Sequence, residues 1–327
     1  MRNNVLYFPY ISVPSSAWFT RILLYWDTVG SIVPYDYIEN PEMHDEYTRS
    51  LIQANLVTQV MPGMHLYRIP NLTDSFINYL ESLGPGLDQR RTVFTRTKPV
   101  HIHIEKMDNL GPELEEMGLA VCRDYPWYDV EGQTADDYMS YLSTVLGRLP
   151  ELQFTPVTDQ IRCLNTLTSI GFSNNFLHRE VNRLRLQILE EALPAPSTPL
   201  EAADIELFKG RYGDQLSRFR RNIELELTTL VDINDPYLQQ RRMDLLKERI
   251  REETADIRNK MERHGWRNLV FGKLCALLGF VPGIGTVPKL INAVYKAFAG
   301  NESFDQKSPL AYAAFAQRKL LGIRNQE

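Results

Sequence analysis

The sequence predicts an α+β (or α/β) N-terminal domain followed by an all-α domain, in a chain that is helix-rich overall. Three observations carry this. Stretches of strand period alternate with stretches of helical period as far as about Val157. From Asp159 onward the strand patterns stop. Pro194, Pro196 and Pro199 then crowd into a seven-residue stretch that starts at Leu193, the clearest linker in the chain. The expected division is a mixed domain over 1–193, a linker over 194–199 and a helical domain over 200–327. The helical domain divides further into a long helical hairpin over 200–264 and an apolar one over 266–299.

Composition sets the outer limits. At 327 residues with 43% hydrophobic content, the chain can bury a full core without staples. The net charge of -5 argues against nucleic acid as the default partner, since such interfaces run on phosphate neutralisation. Cys122, Cys163 and Cys275 are far apart, with neither zinc-finger nor redox spacing. Arg2 is not followed by an apolar run with a small-residue cleavage site, so the expectation is a reducing, cytoplasmic setting without a secretory signal.

The elements read in order as follows. Val5 to Val13 is aromatic and β-branched, a strand that Pro9 demotes to an edge or bulged position. Ser15 or Ser16 caps a helix in which Trp18, Ile22, Tyr25, Trp26 and Val29 recur at helical spacing until Pro34 stops it. This face reads as the core that seats the N-terminal domain. Asn40-Pro41 opens a helix with Tyr47 and Leu51. Pro62-Gly63 is a turn between Leu56–Val60 and His65–Ile69, predicting a short hairpin. Val100 to Glu105 alternates as a strand, with His101, His103 and Glu105 on one face. Trp127 to Val130 and Leu152 to Val157 are further strands, flanking a helix with Tyr138, Tyr141, Leu142, Val145 and Leu149 on one side.

In the second half, Thr198, Pro199 and Glu201 form a capping box. A long helix follows, with Ile205, Phe208, Tyr212, Leu216, Phe219, Ile223, Leu227 and Leu230 spaced in an eleven-residue pattern of about 3.67 residues per turn. Asp235-Pro236 restarts a second helix with Met243, Leu246, Ile250, Ile257 and Met261 inward. Its other face mixes both signs of charge, as a solvated helix face does.

Leu6 to Pro9, Leu24 to Asp27, and Ile32 to Pro34 together resemble the opening of a bacterial family of unknown function. That family has a Tyr-Phe-Pro strand, a Leu-Tyr-Trp-Asp helix and an Ile-Val-Pro stop. Further matches are Glu105 to Met107, Tyr138 to Leu142, Pro156 to Asp159, Phe208, Phe219-Arg220, and Pro309 to Ala313. The resemblance covers nearly the whole chain and brings no activity, cofactor or catalytic residue. It implies a bacterial, two-part, intracellular protein. The resemblance further implies a role in phage defence, which no residue of the sequence itself shows.

Four groups of residues invite a chemical reading. His101, His103 and Glu105 offer an imidazole–imidazole–carboxylate set for a divalent metal, with His65, Asp108 or Asp124 to complete it. The first reading of these residues, ahead of the metal one, is the solvent side of a strand beside Lys98 and Lys106. Asp27 and Asp159, the latter next to Thr158, are the carboxylates to test for acid–base work. The blander role is helix capping. Basic residues interleave with aromatics at Arg90, Arg91, Phe94, Arg96 and Lys98, and at Arg218, Phe219, Arg220 and Arg221, a pattern that can bind single strands. The apolar segment 266–299 puts Trp266, Leu269, Phe271, Phe280, Ile284, Tyr295 and Phe298 forward for contact with a partner or a membrane. Each of its arms spans about 20 Å as a helix, against roughly 30 Å of hydrocarbon. Core, interface and interfacial membrane readings stay open for it. There is no Gly-x-Ser-x-Gly and no glycine-rich phosphate loop.

The expected function is therefore a non-enzymatic interaction or effector protein. Its helical domain would bind a protein partner or self-assemble, with no cofactor. Two alternatives stand beside it: a metal-dependent hydrolase on the His101, His103 and Glu105 face, and a membrane-perturbing effector at the inner membrane acting through 269–299.

Overall fold

A computed structural model of the chain describes residues 3–160, 162–163, 175–196, 200–263 and 308–321, without the side chains of 175–179 and 260–263. The segment 266–299, with all seven of its candidate contact residues, lies outside the described residues. So do Cys275 and most of the predicted capping box.

The chain forms two compact units. One is Met1–Ser15 with Trp26–Arg179, and the other is Ser16–Tyr25 with Glu180–Glu327. The first is α+β and the second helical. This corrects the expected boundary at residue 193. It also corrects the assignment of the first helix, α1 (Ala17–Tyr25), which belongs with the helical unit although it lies between two strands of the other. A helical stripe of apolar residues shows that a helix is buried, not what it is buried against.

The α/β unit is built on a four-stranded parallel sheet of order β3-β2-β1-β7. Its strands are β1 (Asn4–Tyr7), β2 (Thr28–Ile32), β3 (Val57–Val60) and β7 (Phe154–Val157). Three expectations change here. Pro9 does not make β1 an edge strand, because β1 ends at Tyr7 and lies between β2 and β7. The predicted helix to Pro34 stops at Tyr25 because Thr28–Ile32 is strand, with Gly30 and Ser31 providing small residues in the sheet. An added Cβ at Gly30 would sit 2.9 Å from Leu6 Cδ1 and 3.2 Å from Phe154 Cζ. Finally, Leu56–Val60 makes no hairpin: β3 pairs in parallel with β2, and two 3-10 turns follow it at Pro62–Met64 and Leu66–Arg68.

Between β3 and β7 the chain inserts a three-stranded antiparallel sheet of order β4-β6-β5. It comprises β4 (Val100–His103), β5 (Ala120–Asp124) and β6 (Trp127–Val130). Four helices accompany β3 and the inserted sheet: α3 (Glu46–Gln53), α4 (Leu72–Ser82), α5 (Pro85–Phe94) and α6 (Leu110–Glu116). The short α2 (Asp36–Glu39) lies before α3. Helix α7 (Gly132–Arg148) leads into β7 and touches β1, β4 and β7. Its first turn is capped by Glu131, whose carboxylate accepts from Gln133 N and Thr134 N. One apolar core runs through both sheets, joining Leu6, Ile32 and Val60 to Ile102, Val130, Phe76 and Tyr138.

The helical unit joins α1 to α8 (Asn175–Ala192), α9 (Ala202–Arg211), α10 (Gly213–Val231), α11 (Pro236–Arg263) and α12 (Ala311–Phe315), the last running on as a π turn to Leu320. The predicted long helix is two helices broken at Tyr212-Gly213. Yet every residue of its stripe, Ile205 to Leu230, is buried. Helix α11 folds back on α10: Gln239 Nε2 donates to Leu230 O at 3.1 Å, and both Arg242 and Arg249 reach Glu226.

Candidate functional site

In an open parallel sheet, ligands bind outside the carboxyl ends of the strands, at the point where the strand order reverses. Here the chain builds outward from β1 through β2 to β3 and then returns to the other side of β1 as β7. The reversal falls between β1 and β7, so the residues just after Tyr7 and Val157 stand where such a ligand would bind.

A group of polar side chains converges there. Tyr7, 1% exposed, donates its hydroxyl to Asp159 Oδ1 at 3.3 Å across the two strand ends. The same oxygen accepts from Gln160 Nε2 at 3.1 Å, and Thr158 Oγ1 accepts from Gln160 N at 3.0 Å. From α7, Asp136 presents Oδ1 to the Cys163 thiol at 3.5 Å and Oδ2 to Arg162 Nε at 3.4 Å. Ser140, one turn along α7, donates to the carbonyls of Asp136 and Cys163. Tyr10, in the loop after β1, is half exposed. That loop, residues 8–16, contains no glycine, so it makes no phosphate cradle of the glycine-rich kind.

The environment holds protons on this group. Burial, reinforced by Asp159, pushes the Tyr7 hydroxyl above the ordinary phenol range. Burial and then Asp136 push Tyr10 the same way. The Cys163 thiol goes up to about 12, first through burial and then through Asp136. It stays neutral at physiological pH and is no thiolate nucleophile. Burial also raises Asp136, with Arg162 opposing. Two carboxyls therefore face two phenols and a thiol that act as donors.

The candidates from the sequence fare differently. Asp159 stands in this cluster. Asp27 is exposed and precedes β2, so it lies at the amino ends of the strands, opposite Asp159; its backbone N donates to Asn3 O at 2.9 Å. The structure does not bring the two together. Of the proposed metal ligands, His101 is exposed and pairs through Nδ1 with Asp129 at 2.8 Å. His103 is buried edge-on against Trp127 at 4.9 Å, and its Nδ1 accepts from Glu105 N at 3.3 Å. Burial lowers the pKa of His103. Glu105 is off the strand, in the 3-10 turn Ile104–Lys106, and accepts from Tyr35 N at 2.8 Å. Strand alternation fails because β4 ends at His103. Asp108 and Asp124 are exposed, and His65 lies 3.6 Å from Glu151. Among the described residues, no three His, Cys, Asp or Glu side chains are grouped to hold a metal.

The basic clusters are partly structural. Arg90 is buried on Asp137 at 2.6 Å, and Tyr79 donates to the same oxygen at 2.9 Å. Arg220 is buried with its Nε on Tyr25 O, and Phe219 is fully buried. Among the described residues, no helix is long and apolar enough to cross a membrane.

Sequence reasoning missed Tyr7, Asp136, Cys163 and Lys106 as functional groups. Lys106 is 3% exposed, and its carbonyl is held by the Tyr138 hydroxyl. Burial lowers its amine to about 7. The only sequence sign is that Tyr7 closes a strand pattern, which becomes informative once the parallel order is known.

Comparison with protein-family models, with curated proteins and with solved structures finds no match.

Proposed function

We propose that the chain is a ligand-responsive interaction protein whose α/β unit binds a small polar molecule at the carboxyl edge between β1 and β7. The observation that carries this is the Tyr7–Asp159 hydrogen bond spanning the order reversal of the sheet. Donors from Tyr7, Tyr10 and Cys163 beside acceptors from Asp136 and Asp159 suit a ligand that both gives and takes hydrogen bonds, such as a polyol, nucleoside or amino acid. A thermal-shift panel of these three classes tests it. At least one class is expected to raise the Tm of the wild type by several degrees, as saturating ligand must. The same class should leave Asp159→Asn unmoved. If no class stabilises the wild type, or if Asp159→Asn responds equally, the site reading fails.

A second reading, that the helical unit binds a protein partner or a second copy, is favoured by exposed apolar side chains on α10 and α11. Leu225 is 65%, Tyr237 77%, Leu238 55% and Leu245 47% exposed, and large apolar groups left open to water are candidates for an interaction surface. The double variant Leu238→Glu, Leu245→Glu is expected to dissociate any self-assembly seen for the wild type by sedimentation velocity, with helix content unchanged. A wild type that is monomeric at all concentrations rules out the second copy.

A further inference from the structure

The excursion between β2 and α3 is anchored at a single buried side chain. After Pro34 the chain makes α2 and then a 3-10 turn, Pro41–Met43, and neither contains a buried residue. His44 follows, 3% exposed. Its ring meets Tyr37 edge-on at 5.2 Å, and its Nε2 lies 2.9 Å from Gln59 Nε2 on β3. Gln59 Nε2 also donates to Tyr37 O at 3.1 Å. With the amide nitrogen as donor, Nε2 of the neutral ring is the acceptor and the ring proton sits on Nδ1. Nδ1 is buried and makes no hydrogen bond among the described residues. The other tie of the excursion, Tyr35 N to Glu105, is exposed.

We propose that Asp36–His44 is an acid-released strap over the carboxyl ends of β2 and β3, with His44 as its sensor. Protonation turns Nε2 into a donor facing a donor and places a charge in a buried site. Burial outweighs the groups that favour the charged ring. Asp45 favours the charged ring, but its carboxylate is taken by Thr48 N and Thr48 Oγ1, both at 2.8 Å. Arg49 on α3 opposes the charge. The Tyr37 carbonyl also favours it while accepting from Gln59 Nε2. Rotating the Gln59 amide would offer Oε1 to the ring at the loss of that bond.

The sign follows from linkage. Burial holds the His44 pKa below its ordinary 6.5, so the open strap binds more protons than the closed one as the pH falls below 6.5. The strap is closed at neutral pH and released through the acidic window beneath that value. The mechanism is independent of what binds between β1 and β7.

Hydrogen exchange of the full chain at pH 7.5 and pH 5.0, corrected for intrinsic rates, tests this through the amides of Ile38, Glu39, Asn40, Met43 and His44, which bond within the excursion. In the wild type their protection is expected to fall by up to about tenfold per pH unit in the acidic window, as for release coupled to one proton, while β2 stays protected. His44→Phe keeps a ring without a charge and should be flat with pH. Gln59→Glu gives the imidazolium an acceptor and should keep the strap closed at pH 5.0. The proposal is overturned if the wild type shows no acid-dependent loss, or if His44→Phe loses protection with the same pH profile. If His44→Phe is open at both pH values, Gln59→Glu decides: acid loss equal to wild type overturns the proposal, and retained protection supports it.

Discussion

Lys106→Met is expected to stabilise the α/β unit by on the order of 3–5 kcal/mol at pH 6, with the gain shrinking as the pH approaches 10. The lysine is buried, and burial alone accounts for the fall of its amine from 10.5 to about 7. At ~1.4 kcal/mol per unit, that fall is the free energy by which folding disfavours the charged amine. The sign runs through the proton count. Between pH 7 and 10.5 the unfolded lysine is protonated and the folded one is not, so unfolding takes up a proton and wild-type stability rises with pH across this window. Below about 7 both forms are charged and the full cost is present. Methionine has a similar length, fills the volume and carries no charge, so the stability of the variant lacks this slope. Urea unfolding at pH 6, 8 and 9.5, followed by exchange protection of β6, measures both curves. A Lys106→Met variant less stable than wild type at pH 6, or one with the same pH slope, would show that the amine has a stabilising partner.

The parts of the fold that were legible in the sequence are those governed by local period. The stripe from Ile205 to Leu230 is buried throughout, although the helix carrying it breaks at Tyr212-Gly213. A break that keeps the rotational phase leaves the pattern intact. Strands β4, β6 and β7 lie within the stretches that read as strands. What period could not show is non-local. Val29 continues the helical spacing of Trp18, Ile22 and Tyr25, yet it sits in β2 beside β1, where Gly30 fits against Leu6 and Phe154. The candidate site is a product of strand order, which no window of sequence contains. Within α7, the consecutive residues Asp136, Asp137 and Tyr138 point to three places: Asp136 to Cys163 and Arg162, Asp137 to Arg90, and Tyr138 to the carbonyl of Lys106. Successive helix positions lie about 100° apart, so a sequence run does not make one site. Residues far apart in the chain meet instead: Tyr7 with Asp159, Lys106 with Tyr138, and Tyr25 with Phe219 and Arg220.

Residues 180–327 alone are expected not to fold cooperatively, whereas the same fragment preceded by residues 16–25 on a flexible linker should. The helical unit takes α1 as one of its own helices, and the bonds are specific. Tyr25 donates to Glu224 at 2.8 Å, and Glu224 also holds Arg185 through two hydrogen bonds at 2.8 and 2.9 Å. Tyr312 donates to Leu24 O at 2.7 Å, and Arg21 Nε to Leu193 O at 2.8 Å. Phe219 packs on Tyr25 and on Tyr312, with ring centroids 6.0 and 5.8 Å away. Without α1, Tyr312 and Arg220 lose backbone acceptors, Glu224 loses a donor, and the aromatic cluster opens on one side. Each buried apolar side chain is worth ~1.5–3 kcal/mol, so losing the apolar face of a whole helix approaches the ~5–15 kcal/mol by which domains are stable. The shorter fragment should show helical far-ultraviolet dichroism without a sharp thermal transition, and the fragment carrying 16–25 a sharp one. Within the latter, Glu224→Ala leaves Arg185 buried without its carboxylate and should cost about 3–5 kcal/mol, more than Tyr25→Phe, which removes a neutral hydroxyl and should cost ~1–2 kcal/mol. A cooperative transition for 180–327 at the same temperature with and without α1 would mean that this helix is seated by the α/β unit instead.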